Sequence, residues 1–300
     1  MCRLVEQKGY NSDELEILIE KLHLKYPFIN KLCFGASVSG KKLTALTLGY
    51  SKDITLFVSA VHGNEYITAT LLLMFIEDLC ESISSKSQFC GIDFCRAFKQ
   101  YGVAFVPMLN PDGCDIVLNN LSNFTKSQIS RVEKISKGDF SNWKANLNGV
   151  DINHNFPADW ERLRKIELSR GIETYSPGFF GGFSPSSEPE TVAIMTLCKL
   201  LRPRSVIALH TQGEVIYYGY DKRNDAETQM AEIFSMLSGY AISAPDYLSS
   251  CGGFKDWFSM KFNNPAFTIE CGKGKNPLPI ESAGRIYKRI KEMLAVGAIM

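Results

Sequence analysis

Two of the four histidines in this 300-residue chain directly follow short apolar runs, and a glutamate stands close to the first of them. His62 and His210 come after the runs 54–61 and 205–209, and Glu65 lies three positions beyond His62. Ligands bind at the carboxyl ends of strands in open α/β sheets, so we expect these three side chains to meet there. Two imidazoles and a carboxylate, with one position left for water, are typical of catalytic zinc sites. The sequence therefore predicts one Zn²⁺ ion held by His62, Glu65 and His210.

A second carboxylate is expected at the same edge of the sheet. Glu270 follows the apolar run 266–269, and a carboxylate placed there can take a proton from water and return it to a leaving amine. Two simpler interpretations stay open. The histidines can be ordinary polar residues at strand ends, and Glu270 can belong to a structural salt bridge. Gly63 is expected to let the turn after His62 tighten.

The elements that position these residues alternate along the chain. The periodicity predicts an amphipathic helix over 12–26, capped by Asn11 or Ser12, and two paired edge strands. Buried strands and helices then alternate, which indicates a mostly parallel, twisted mixed sheet with helices on both faces. The fold class is therefore α/β. The predicted strands are 32–38, 43–50, 54–61, 103–109, 205–209 and 266–269, and the predicted helices after the first are 66–80, 187–200, 226–238 and 281–294.

Composition limits the classes of function. The chain is 45% hydrophobic and 22% charged with a net charge of +1, which fits a globular enzyme and gives no basic face for nucleic acid. No linker or repeat divides it, so we expect one domain over residues 1–300. The nine cysteines are irregularly spaced without a CxxC pair, and residues 1–11 contain no apolar leader. With no apolar stretch long enough to span a membrane, these features favour a cytoplasmic protein.

Five ordered motifs extend this interpretation. The chain resembles the zinc carboxypeptidase (carboxypeptidase A-like) family over about residues 35–285. The motifs are His62-Gly63-Asn64-Glu65, Asn110-Pro111-Asp112-Gly113, Gly149-Val150-Asp151-Ile152-Asn153-His154-Asn155-Phe156-Pro157, Leu209-His210-Thr211-Gln212 and Thr268-Ile269-Glu270.

Three further segments are similar to the bacterial γ-D-glutamyl-L-diamino acid endopeptidases, a narrower group within that family. The segments are His210-Thr211-Gln212-Gly213-Glu214, Gly253-Phe254-Lys255-Asp256-Trp257-Phe258 and Gly274-Lys275-Asn276-Pro277-Leu278-Pro279. The resemblance implies a cell-wall stem peptide as substrate, cleaved between γ-D-glutamate and meso-diaminopimelate.

The resemblance also implies roles for catalytic residues. His62, Glu65 and His210 would bind zinc, Glu270 would be the general base, and Asp151 would hydrogen-bond a zinc histidine. Lys144 stands where the family has an arginine that stabilises the oxyanion, and a lysine lacks the bidentate fork of arginine. Asp151 can alternatively cap a turn, and Lys144 can be a solvent-exposed lysine.

Substrate-binding positions show the main departures from the family. Asn153 and His154 match an asparagine–arginine pair that binds the free terminal carboxylate of the substrate. Because histidine is mostly neutral near pH 7 unless a neighbour raises its pKa, this carboxylate site is expected to be weakened or changed. Lys255 lies in the segment that forms the floor of the P1′ pocket and would favour an acidic side chain. Tyr247 falls one position from the place of the mobile pocket tyrosine of the family.

Three other functions remain open at this stage. The chain can be a metallocarboxypeptidase that removes C-terminal residues from ordinary peptides, although His154 argues against this. It can be an acyl-amino-acid deacylase on a similar scaffold, or a non-catalytic protein that retains the fold. The sequence does not indicate an oligomeric state.

Overall fold

Eight strands form one continuous mixed sheet in the computed structural model, which describes residues 3–50, 52–220, 225–244 and 251–300. Their order across the sheet is β1-β2-β4-β3-β5-β8-β6-β7. The central neighbours β3–β4, β3–β5 and β5–β8 are parallel, while β1 and β2 form the antiparallel edge that the sequence predicts. The strands are β1 (Asn30–Ala36), β2 (Lys42–Leu48), β3 (Ile54–Val58), β4 (Gly102–Val106), β5 (Ser205–His210), β6 (Val215–Tyr218), β7 (Ala241–Ile242) and β8 (Ala266–Glu270).

Helices cover both faces of this sheet, which confirms the predicted fold class. Asn11 caps the first helix and accepts a hydrogen bond from the Glu14 backbone N–H. The helices are α1 (Ser12–Lys25), α2 (Ile67–Ser85), α3 (Phe94–Ala97), α4 (Pro111–Val117), α5 (Lys126–Ser136), α6 (Trp160–Ser169), α7 (Pro189–Leu201), α8 (Asp225–Ser238), α9 (Phe254–Phe262) and α10 (Ala283–Gly297).

Side-chain alternation along the central strands produces two separate cores. Phe57 of β3 packs in the core shared with α1, α2, α8 and α10, whereas its neighbours Leu56 and Val58 pack in the core shared with α7 and α9. Successive residues of a strand point to opposite faces of the sheet. Because both faces are covered, the central strands β4 and β5 are buried at every position.

The segment between Asn110 and Ser187 contains more regular structure than its sequence predicts. Helices α4, α5 and α6 lie within it. Helix α4 has only seven residues, and α5 and α6 each bury two residues along mostly polar sequences. Their apolar periodicity is therefore too weak or too short to be recognised, because burial of so few side chains leaves no continuous apolar stripe.

The topology brings the carboxyl ends of three neighbouring strands together. His210 ends β5 and Glu270 ends β8, and the two are direct partners in the parallel register. His62 lies four residues after the end of β3, and β3 is the neighbour of β5 on the side opposite β8. These positions lie where open α/β sheets bind ligands. None of the helices in the described ranges combines the length and apolar character needed to cross a lipid bilayer.

Candidate metal centre and active site

His62 and Glu65 are brought together by a short 3₁₀ turn over Gly63–Glu65. His62 Nδ1 lies 2.9 Å from Glu65 Oε1. Gly63 is required for a reason other than turn tightness, because a Cβ there would lie 2.4 Å from the Gly113 carbonyl oxygen and 2.8 Å from that of Trp143. Close backbone packing therefore excludes a side chain at this position.

His210 completes a converging set of potential ligand atoms. Its Nδ1 atom lies 3.0 Å from Glu65 Oε2 and 3.3 Å from His62 Nδ1. The ligand atoms of the three buried side chains all lie within 4.8 Å of one another. Two imidazole nitrogens and a carboxylate facing one point form a donor set that suits zinc, and a cation there would satisfy all three groups at once. The residues present therefore fit a zinc ion.

Asp151 fixes the orientation of His62 from the opposite side. Its Oδ1 atom lies 3.2 Å from His62 Nε2, and its Oδ2 atom accepts the Phe179 backbone N–H at 2.9 Å. A hydrogen on Nε2 leaves the Nδ1 lone pair directed at the converging point, as a metal ligand requires. Burial alone lowers the pKa of His62, but the Glu65 and Asp151 carboxylates raise it to about 9. Protons and a metal ion therefore compete for this ring.

Glu270 and Lys144 stand beside the converging ligands. Burial raises the pKa of Glu270 to about 8; the Glu65 carboxylate adds to this effect, and Lys144 and His62 oppose it. Lys144 Nζ lies 3.7 Å from Glu65 Oε1 and 5.3 Å from the centre of the Phe179 ring. The Lys144 carbonyl accepts the Gly63 backbone N–H at 3.0 Å, which ties this cation to the turn that carries the ligands.

A cavity of about 680 Å³ opens beside these groups and brings together most of the predicted site residues. Its lining includes His62, Glu65, Lys144, Asp151, Asn153, His154, His210, Lys255 and Glu270. Tyr247 lies outside the described residues. The volume is in the range of pockets that hold a small ligand or a short peptide segment.

Lys255 provides a buried charge in this cavity. It is 4% exposed, and its ammonium group donates to the Gly219 carbonyl at 2.7 Å and to the neighbouring Asp256 carboxylate. Asp256 also lines the cavity. Burying a charge is costly unless it is paired, so the Lys255–Asp256 pair allows a cation to be kept at this depth. Sequence analysis identified Lys255 but not the role of Asp256 as its partner.

Three other residues around the site were missed by sequence analysis. Thr211 donates its backbone N–H to Glu65 Oε2 at 3.2 Å, and Asn276 lies in a motif that carried the family resemblance. Asn276 Nδ2 lies 3.4 Å from Glu65 Oε1. Glu167 on α6 contacts His154 and had no recognisable signal, because it is one of several acidic residues on a polar helix.

Comparison with known proteins agrees with this geometry. The family model described as zinc carboxypeptidase matches residues 15–295. The chain is 34% identical over 299 residues to gamma-D-glutamyl-L-diamino acid endopeptidase 1 of Lysinibacillus sphaericus, and the match covers 98% of this chain and 74% of that protein.

Solved structures show the same fold at lower sequence identity. Thrombin activatable fibrinolysis inhibitor matches with a TM-score of 0.75 and 17% identity, covering 99% of this chain and 76% of that one. Murein-tripeptide amidase MpaA from Escherichia coli O157 matches with a TM-score of 0.56 and 19% identity, covering 90% of this chain and 92% of that one.

Proposed function

The chain belongs to the zinc carboxypeptidase family of zinc-dependent peptidases, and we propose that it hydrolyses the amide bond between γ-D-glutamate and meso-diaminopimelate in murein-type peptides. The observation that carries this proposal is the buried Lys255 in the wall of the site cavity. A buried cation favours a substrate side chain that ends in a carboxylate, and diaminopimelate has such a group. The name of the Lysinibacillus sphaericus relative supports the same substrate class.

The catalytic roles follow from the positions of the side chains. His62, Glu65 and His210 would hold one zinc ion, with Asp151 orienting the His62 ring. A bound zinc ion supplies a Lewis acid that makes water a usable nucleophile near neutral pH.

Glu270, at the end of β8, takes the proton from the attacking water and passes it to the leaving amine. Its raised pKa suits both transfers, because a group that titrates near neutral pH can accept and release a proton readily. The Lys144 ammonium group offsets the negative charge that develops on the carbonyl oxygen.

Substrate recognition is assigned to the remaining cavity residues. Lys255 binds the distal carboxylate of diaminopimelate, and Asn153 and His154 face the terminal α-carboxylate. Asn153 is held in place because its Oδ1 atom accepts the Phe254 backbone N–H at 3.0 Å. We assign Tyr247 to the mobile pocket position by family resemblance alone.

The test is hydrolysis of L-Ala-γ-D-Glu-meso-diaminopimelate by the zinc-loaded protein, with release of free diaminopimelate as the readout. We expect release from this peptide and at least about 100-fold lower kcat/KM on L-Ala-α-L-Glu-L-Ala, since the residue released from that peptide has no side-chain carboxylate to accept a charge-assisted hydrogen bond from Lys255. The reverse preference would favour the alternative function, a metallocarboxypeptidase acting on ordinary peptides.

Lys255→Met is expected to lower kcat/KM for the diaminopimelate peptide by about 100-fold, because the distal carboxylate would lose its buried partner. The peptide L-Ala-γ-D-Glu-L-Lys, which lacks that carboxylate, should change by less than about threefold under the same reasoning. The double variant Lys255→Met/Asp256→Asn removes the unpaired Asp256 charge that the single change leaves behind. Exposed Lys261→Met on the same helix is the matched control. An equal loss on both peptides would contradict the specificity role.

A further inference from the structure

We propose that Lys275 is a specificity residue for the γ-D-glutamyl residue of the substrate, and that its ammonium group binds the free α-carboxylate of that residue. The inference rests on the proposed function and concerns the part of the substrate that precedes the scissile bond. A γ linkage leaves this α-carboxylate free, at about 5 Å from the scissile carbonyl carbon across four single bonds. The substrate therefore brings a negative charge close to the reacting atoms.

The proposed zinc ligands lie between two parts of the cavity wall. His62 contacts Asp151, which belongs to the loop assigned to the released residue. Glu65 Oε1 lies 3.4 Å from Asn276 Nδ2, which belongs to the loop that carries Lys275. Both loops line the cavity. Because the released residue occupies the first part of the wall, the γ-D-glutamyl residue on the other side of the scissile bond faces the second part.

The loop that carries Lys275 is anchored on both sides of that residue. Asn276 Nδ2 donates to the Thr211 carbonyl oxygen at 3.0 Å, and Asn276 Oδ1 accepts from Thr211 Oγ1 at 2.8 Å. On the other side, the Gly274 backbone N–H donates to Gln212 Oε1 at 3.4 Å. Lys275 is therefore presented to the cavity by a fixed backbone, although the residue itself is exposed.

Three lysines line the cavity in the part of the chain that the structure describes, and two of them already have anionic neighbours. Lys255 is paired with Asp256, and Lys144 Nζ lies 3.7 Å from Glu65 Oε1. Lys275 makes no hydrogen bond or ion pair with any described residue. An ammonium group has three donors and no acceptor. Lys275 is therefore the lysine of the cavity whose donors are available to a substrate carboxylate.

The Asp139 carboxylate is close enough to interact with the charge of Lys275 but does not pair with it. The pKa of Asp139 is lowered chiefly by the hydrogen bond from the Ser141 hydroxyl, and Lys275 makes a smaller contribution. Both oxygens of Asp139 already accept hydrogen bonds, from Ser141 Oγ at 2.6 Å and from Asn142 Nδ2 at 3.2 Å. A substrate carboxylate therefore does not have to displace an existing ion pair to reach Lys275.

The exposure of Lys275 sets the size of the expected effect. A hydrogen bond to a charged group contributes at least about tenfold to affinity. Contact with solvent keeps the effect at the lower end of this range, and added salt should reduce it because salt screens exposed charges. The site therefore favours a γ-D-glutamyl residue with a free α-carboxylate over one whose α-carboxylate has been converted to an amide.

The subsite can be tested by binding alone, without hydrolysis. The ligands are L-Ala-D-Glu, which is the product that retains the α-carboxylate, and L-Ala-D-isoglutamine, in which that carboxylate is an amide. Both ligands keep the γ-carboxylate. Isothermal titration of the zinc-loaded protein at low salt should show about tenfold tighter binding of the acid, and Lys275→Met should remove the difference. Equal affinities of the wild type for the two ligands would overturn the inference.

Lys273→Met is the matched control for this change. Lys273 is an exposed lysine of the same loop whose Nζ atom lies 3.2 Å from Glu214 Oε2, and it does not line the site cavity. Because both variants lose one positive charge, both lose a similar share of the general electrostatic attraction for anions. Lys275→Arg, which keeps the charge, should keep the preference for the acid. An equal loss of preference in Lys273→Met and Lys275→Met would refute a subsite at Lys275.

Hydrolysis separates this inference from the proposed function. The substrates are L-Ala-γ-D-Glu-meso-diaminopimelate and the same peptide with an amide in place of the D-Glu α-carboxylate. Wild-type kcat/KM should be about tenfold higher for the acid, and the two values should be equal in Lys275→Met. Preferential binding of L-Ala-D-Glu without hydrolysis of either peptide would refute the proposed function and support the subsite. Hydrolysis of both peptides with equal kcat/KM by the wild type would refute the subsite and leave the proposed function supported.

Discussion

Glu270→Gln is expected to lower kcat about 10³-fold or more on the diaminopimelate peptide, with KM and zinc content nearly unchanged. Glutamine preserves the shape of the side chain at the end of β8 but cannot take up the proton of the attacking water. The loss should therefore appear in the chemical step rather than in substrate binding. Steady-state kinetics and metal analysis of the same preparation measure both quantities.

Two controls give this result its meaning. Exposed Glu281→Gln should leave kcat unchanged, because that residue does not line the site cavity. Thermal unfolding should show that Glu270→Gln remains folded. A variant that keeps more than about a tenth of wild-type kcat would exclude Glu270 as the general base, since removal of such a group costs at least about 10²-fold.

His210→Gln is expected to abolish measurable hydrolysis and to weaken zinc binding by more than about 100-fold, which is the upper range for loss of an outer partner. His210 Nδ1 is one of the three ligand atoms, with those of His62 and Glu65, that converge at the proposed zinc position. Asp151→Asn, which changes only the partner of His62, should weaken zinc binding by about 10- to 100-fold. Competition titrations with a chelator measure these affinities.

The affinity for zinc should also depend on pH. Because the neighbouring carboxylates raise the pKa of His62 to about 9, a proton competes with the metal throughout the neutral range. Zinc affinity is therefore expected to fall as the pH falls, with release of protons on binding at neutral pH. His23→Gln, in helix α1 and outside the lining of the site cavity, is the matched control for the histidine change. Full zinc occupancy and activity in His210→Gln would contradict the proposed ligand set.

The sequence by itself determined the α/β class and the edge of the sheet where the chemistry lies. Apolar runs of strand length, each followed by a histidine or glutamate, predict this edge because parallel strands place their carboxyl ends together. His62, His210 and Glu270 each follow such a run. A local sequence pattern is enough to predict this edge, because residues that follow parallel strands lie at the same edge of the sheet.

Tertiary structure alone decided which groups contact the other residues of the site. The sequence predicted a weakened or changed carboxylate site at His154, and the fold brings Glu167 to 3.5 Å from its ring. It likewise brings the Gly219 carbonyl oxygen to 2.7 Å from the Lys255 ammonium group and places the Gly113 and Trp143 backbones against Gly63. These contacts join segments that are far apart along the chain, and no periodicity encodes the distances between them. The charge of a buried group depends on such distances, because burial and nearby charges together set its pKa.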